Sequence, residues 1–214
     1  MADRDHRDGG TGSGLDFSAF YAEFRPSLVG LGVQLCSNFQ DAEDAAQYAL
    51  EEARIRWADI RHPKAYTRKA VVLRLTGGRR LWHSFRPPAE PEIPLPGDSP
   101  VEEHMMVLDV LAAVRQLPRR QREVMTLLGE HELTAQEIAE ILGITANAVH
   151  QNIWQARPRL RMLLGLEPGS VSSGDRFTEV SPSDQLVVLL RTANTLLRRG
   201  IRAAQEADRR EGHR

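Results

Sequence analysis

Between Ile60 and Ala89 the chain has no acidic residue, while Arg61, Lys64, Arg68, Lys69, Arg74, Arg79, Arg80 and Arg86 fall there with Tyr66, Trp82 and Phe85 interleaved. Cationic groups pair with phosphates and aromatic faces stack on unpaired bases. Tyr66, Arg68, Lys69, Arg74, Arg79 and Arg80 are therefore candidates for holding a single nucleic-acid strand. The plain alternative is a solvated basic helix face. A second cluster lies further on. Thr134 with Glu137 forms a capping box, and Ile138, Ala139, Ile141 and Leu142 follow it. Gly143 then supplies a tight turn and Ile144 an apolar plug beneath it. Thr145 can cap a second helix, whose inward face is Val149 and Ile153. Its outward side chains, Ala146, Asn147, His150, Gln151 and Trp154, would face a DNA major groove. Arg157, Arg159 and Arg161 would supply phosphate contacts at its far end, and Arg119, Arg120 and Arg122 would do so from the preceding helix or face a partner.

No residues are spaced for bond-making chemistry. Neither a Ser/His/Asp nor a Cys/His constellation is identifiable. The seven histidines show no ligand spacing. Cys36 sits alone in an apolar stretch and reads as a buried small hydrophobe. The expectation is a binding protein, not an enzyme, with no metal and no cofactor.

The elements that must position these clusters read as helices. Phe17, Phe20, Tyr21, Phe24, Leu28, Leu31 and Leu35 recur at helical spacing, with Pro26 expected to bend or break the run. A second helix is expected over 41–60, with Asp41, Glu43 and Asp44 in its first turn. A third runs from Pro63 to about Leu75, interrupted by Gly77 and Gly78. Further helices carry Val107–Leu117, Val124–Leu128 and the paired helices around Gly143. One more is expected over 182–208, its apolar stripe running through Leu186, Leu190, Leu197 and Ile201. That stripe must be buried, by self-packing, by dimerisation or by a partner. If this helix covers a nucleic-acid-reading or partner-docking face, it is autoinhibitory.

The expected fold is all-α. A leader (1–14) precedes a first helical domain (15–83), a Pro-rich acidic linker (84–104), a second helical domain (105–166) and a C-terminal extension (167–214). The 214 residues, 41% hydrophobic, suffice for a packed core. The near balance of 28 Lys+Arg against 29 Asp+Glu hides a basic stretch followed by an acidic one. No apolar run nears the roughly 18 residues of a membrane span, and no signal-peptide core is present. A cytoplasmic location is expected.

LPRRQREVMTLLGEHELTAQEIAEILGITANAVHQNIWQARPRL resembles region 4 of bacterial sigma factors, which binds the −35 promoter element. FSAFYAEFRPSLVGLGVQLCSNFQDAEDAAQYALEEARIRW resembles the start of sigma region 2. Within it, DAEDAAQYAL is similar to the segment that docks on the clamp helices of core RNA polymerase. PKAYTRKAVVLRLTGGRR stands where that family has its −10 melting and reading helix. Two such modules joined by a short acidic linker resemble the extracytoplasmic function (ECF) group of the sigma-70 family.

The resemblance implies polymerase docking through Asp41, Glu43, Asp44 and Gln47. It also implies −10 contacts through the 66–80 set and −35 contacts through Thr145, Ala146, Asn147, His150, Gln151 and Arg157. The implied partners are core RNA polymerase and promoter DNA, with an anti-sigma factor or another protein as a further candidate, and the implied function is promoter-specific transcription initiation. The linker is expected to thread toward the RNA exit path or to act as a plain tether.

This sequence departs from the family pattern in three places. Leu73 and Gly77 replace an Asn and an Asp of the −10 helix. His150 and Asn152 replace a Lys and an Arg of the recognition helix. Pro158 falls where that helix normally continues and is expected to kink it or start a new one. Two other readings stay open: a stand-alone helix-turn-helix regulator, and a protein that occupies polymerase or an anti-sigma factor without initiating.

Overall fold

The computed structural model describes residues 16–76, 100–130, 133–166 and 184–211, and every regular element within them is helical. The helices are α1 (Phe17–Cys36), α2 (Phe39–Ile55), α3 (Pro63–Thr76), α4 (Val101–Arg115), α5 (Arg119–Leu128), α6 (Ala135–Leu142), α7 (Ala146–Leu163) and α8 (Gln185–Glu211), with a single 3₁₀ turn at Trp57–Asp59. The all-α expectation holds. Gly77, Gly78, Arg79, Arg80, Trp82, Phe85 and the linker up to residue 99 lie outside the described residues.

Helix α1 is the central post. From Pro26 to Cys36 every residue is buried, because α2, α3, α4, α5 and α8 all pack on it. An apolar helix of this kind belongs inside a bundle. It also explains why α1 continues through Pro26, which leaves only a bend of the expected bend or break. Proline removes one backbone hydrogen bond, and burial on every side of the following turns outweighs that loss. Pro158 likewise lies inside an unbroken α7. Its ring is exposed, so water can reach the carbonyl left without a donor, while buried Ala156 and Leu160 hold the helix on either side.

Helix α2 meets α1 through a stripe of small residues, Ala42, Ala45, Ala46, Ala49 and Ala53. Contact is closest at Gly32, where a Cβ would lie 2.7 Å from that of Ala42. The start of α2 is set by Asn38, whose side chain accepts from the Asp41 backbone N–H at 3.1 Å. The aromatic rings of Phe17, Phe20 and Trp57 pack with centroids 5.0–5.2 Å apart and close the end of α1 against the turn after α2.

Helices α4 to α7 form a second group. Buried residues of both groups and of α8 join in one continuous core. Helix α8 lies across the two, touching α1 on one side and α4, α5 and α7 on the other. No described helix is long and apolar enough to cross a membrane.

Candidate nucleic-acid and partner interface

The paired helices α6 and α7 are built as the sequence reads. Thr134 Oγ1 accepts from the Glu137 backbone N–H at 3.3 Å, and Glu137 Oε2 accepts from the Thr134 backbone N–H at 2.8 Å. These bonds satisfy donors that a helix start leaves open. Gly143 ends α6 at φ 63°, a left-handed conformation that glycine adopts at little steric cost. Thr145 caps α7, accepting from the Ala148 N–H at 3.1 Å. Val149, Ile153, Ala156 and Leu160 are buried beneath it.

The opposite face of α7 presents Asn147, Gln151 and Trp154 to solvent, with the Trp154 indole 63% exposed. Thr145 is exposed at the helix start, and Ala146 and His150 are half-buried beside this face. Asn152 turns back to the Ala148 carbonyl at 2.7 Å, and Gln155 accepts from Gln121 at 3.1 Å. Amides of Asn and Gln match the donor–acceptor edge of adenine, and an apolar ring can meet a thymine methyl. Arg157 does not project freely from this face. It pairs with Asp184, as does Arg161 at 2.9 Å. Burial and then the nearby Arg161 push the Arg157 guanidinium below its ordinary pKa.

Helix α3 divides its cations. Lys69 and Arg74 are exposed, and the Arg74 guanidinium lies 4.8 Å from the centroid of the Tyr48 ring. Tyr66 is half-buried at an open groove of about 450 Å³ between α3 and α6, lined among others by Arg61, Lys69, Glu137 and Glu140. Arg68 is turned inward. It is 4% exposed, stacks 4.9 Å from the Phe24 ring and reaches Glu130 at 3.2 Å. In this arrangement it faces protein, not a nucleic-acid strand. Periodicity could not separate it from Lys69, because α3 packs on α1, α2 and α6 and leaves a narrow free face. Arg79 and Arg80 lie outside the described residues.

On α2, Asp41, Glu43, Asp44 and Gln47 fall within two turns of one side. Asp44 is exposed and accepts from Gln40 at 3.2 Å. Glu43 pairs with Arg25 at 2.8 Å, and Gln47 accepts from the Tyr21 hydroxyl at 3.1 Å. Asp41 has a carboxylate oxygen that is buried without a partner. Burial first, and Asp44 second, raise the Asp41 pKa above its usual value. Further along, Arg119 and Arg120 both pair with the buried Glu123, at 2.9 and 2.7 Å. Arg122 donates to the Arg115 carbonyl at 2.9 Å.

Sequence reasoning missed the polar cluster at the centre of the molecule. Glu130, just past α5, is 0% exposed. It accepts from Arg68 of α3, from Asn194 of α8 at 2.8 Å and from Arg198 of α8, with the Ser27 hydroxyl of α1 at 3.5 Å. Asn194 also donates to the Gly129 carbonyl at 3.2 Å and accepts from Gln34 of α1 at 3.1 Å. One faint signal was available: Asn194 interrupts the apolar stripe of α8. Glu130, in a short connection, carries none.

Residues 108–160, which hold α6, the turn and α7 up to Leu160, match the family model described as Sigma-70, region 4. The chain is similar to an RNA polymerase sigma-E factor of Streptomyces coelicolor, with 28% identity over 158 residues, covering 70% of this chain and 86% of that relative. A sigma-E factor of Streptomyces avermitilis is 28% identical over 159 residues, again 70% of this chain and 86% of the relative. In fold the chain resembles one from the co-crystal structure of the sigma factor RpoE in complex with the anti-sigma factor NepR from Bartonella quintana. That match has a TM-score of 0.59 and 21% identity, and covers 72% of this chain and 99% of the other.

Proposed function

We propose, from the premise that this chain is a sigma-70-family protein with its region 4 at residues 108–160, that it binds core RNA polymerase and directs promoter-specific transcription initiation. The observation that carries the reading is the capped α6–turn–α7 unit within the matched region, with its polar face open to solvent. Helix α7 reads the −35 groove through Thr145, Ala146, Asn147, His150 and Gln151, and Trp154 extends that face. The exposed α3 cations Lys69 and Arg74, with Tyr66, and Arg79 and Arg80 beyond them, engage the −10 strand. The α2 face formed by Asp41, Glu43, Asp44 and Gln47 docks on polymerase. Residues 15–83 and 105–166 act as the two functional modules, with 84–104 as the tether between them. An anti-sigma factor is a further candidate partner.

A non-initiating, polymerase-occupying protein is the second reading. It is favoured by a recognition helix without formal positive charge from Ala146 to Ala156. Few phosphate contacts mean weak nonspecific affinity and a shallow salt dependence. Co-elution with core RNA polymerase, followed by run-off transcription across a genomic fragment library, separates the two. Binding with new transcripts supports initiation, and binding without them supports the second reading. Absence of binding removes both.

A further inference from the structure

We infer that the cleft between α3 and α8, floored by α1, is a binding site for the phosphate group of a small phosphorylated ligand. The inference stands apart from the sigma reading, since it needs neither promoter nor polymerase.

Charge is the first argument. The cleft takes Lys64 and Arg68 from α3, Arg198 and Arg202 from α8, and Phe24 and Ser27 from α1. Each cationic pair is spaced four residues apart and so stands on one face of its helix, where like charges repel. Two such pairs face one opening. Two carboxylates offset them in part. Glu130 is buried behind the cleft and already holds Arg68 and Arg198 on one oxygen, Oε2. Glu23 is exposed and lines the cleft. Four cations to two carboxylates leave an excess of two positive charges among the described residues. A phosphate monoester in neutral solution carries close to the opposite charge. The larger groove between α3 and α6 has no such excess, because Arg56, Arg61 and Lys69 stand there against Asp59, Glu137 and Glu140.

Geometry is the second argument. The cleft holds about 150 Å³. Pockets that enclose whole organic ligands begin at roughly 300 Å³. The space therefore admits one phosphate group and leaves the rest of the ligand in solvent. Two of its cations are held in place without a ligand. The Arg68 guanidinium lies 4.9 Å and the Lys64 ammonium 5.8 Å from the centroid of the Phe24 ring. Cation–π attraction seats both against the α1 floor. Arg198 adds a donor, since its Nε is buried without a hydrogen-bond partner. An open buried donor is costly, and an anion seated beside Arg198 offsets that cost with a charge-assisted bond.

The test titrates the full chain by calorimetry with inorganic phosphate and with phenyl phosphate, at neutral pH and with ionic strength matched by sodium chloride. Arg202 is exposed and Lys64 half-buried, so Lys64→Gln and Arg202→Gln spare the Glu130 contacts at the centre of the molecule. We expect saturable binding by the parent chain, weakened at least about tenfold by either substitution, as for the loss of one charge-assisted hydrogen bond. Arg54→Gln, at an exposed cation of α2 away from the cleft, should stay within about twofold of the parent. Thermal melts in phosphate give a second readout. Exclusion of the ion from protein surfaces raises the melting temperature of all variants alike. Occupancy of the site raises that of the parent further.

No saturable binding by the parent, or binding that neither substitution weakens, overturns the site. A single-stranded oligonucleotide without a terminal phosphate is the last arm. If both substitutions weaken its binding while neither small phosphate binds, the cations serve a nucleic-acid backbone and the small-ligand assignment is overturned.

Discussion

Asp41 is a single side chain placed at a cost to stability. One of its carboxylate oxygens is buried without a partner, and burial raises its pKa despite its place in the first turn of α2. A carboxyl with a raised folded pKa opposes folding while it is ionised, and that penalty disappears as pH falls through the folded value. Asp41→Asn should therefore melt at a higher temperature at neutral pH, and the gain should vanish in acid. If Asp41 docks on polymerase, the same change should weaken co-elution with core enzyme. A thermal melt at two pH values and a binding titration check the pair, and a lower melting temperature at neutral pH would contradict the argument. Cys36 is simpler at this scale: buried with a raised pKa, it is a small hydrophobe.

Among the helices, the α1–α2 crossing is the tightest joint. A Cβ on Gly32 would meet the Ala42 Cβ at 2.7 Å and its Cα at 2.9 Å. The second contact is backbone, so rotamer changes cannot relieve it. Gly32→Ala gains roughly 1 kcal/mol of helix propensity, yet overpacking of this kind costs about 1–3 kcal/mol. The expected outcome is a net loss of stability in urea denaturation. A neutral or stabilising result would mean that the helices separate without penalty. Elements were legible in the sequence where local rules act alone. The Thr134–Glu137 box, the Gly143 turn and the Thr145 cap all form as read. Pro26 and Pro158 do not end their helices, because packing on the neighbouring turns outweighs one missing hydrogen bond, which no local rule registers.

Across the whole molecule, Glu130 decides how the helices assemble, since α1, α3 and α8 all send polar side chains to it. Removing its charge leaves two guanidinium groups, that of Arg68 buried and that of Arg198 partly exposed, facing a neutral amide. Glu130→Gln should destabilise the chain by about 3 kcal/mol. The exposed Glu206→Gln should stay within about 0.5 kcal/mol of the parent. Chemical denaturation of both variants makes the comparison, and equal effects would show that the cluster does not hold the assembly together.

Order along the chain determined the all-helical class, the helix-turn-helix with its caps, and the family resemblance. Each of these depends on spacing within about twenty residues, where period, caps and turns act. Tertiary structure alone decided which cations face solvent. Lys69 and Arg74 do, whereas Arg68 meets Glu130 from 62 positions along the chain, and Arg157 meets Asp184. Pairings at such separations depend on how whole helices dock. Docking maximises the burial of apolar faces, and charged groups caught at the seams must then find partners wherever packing has left them.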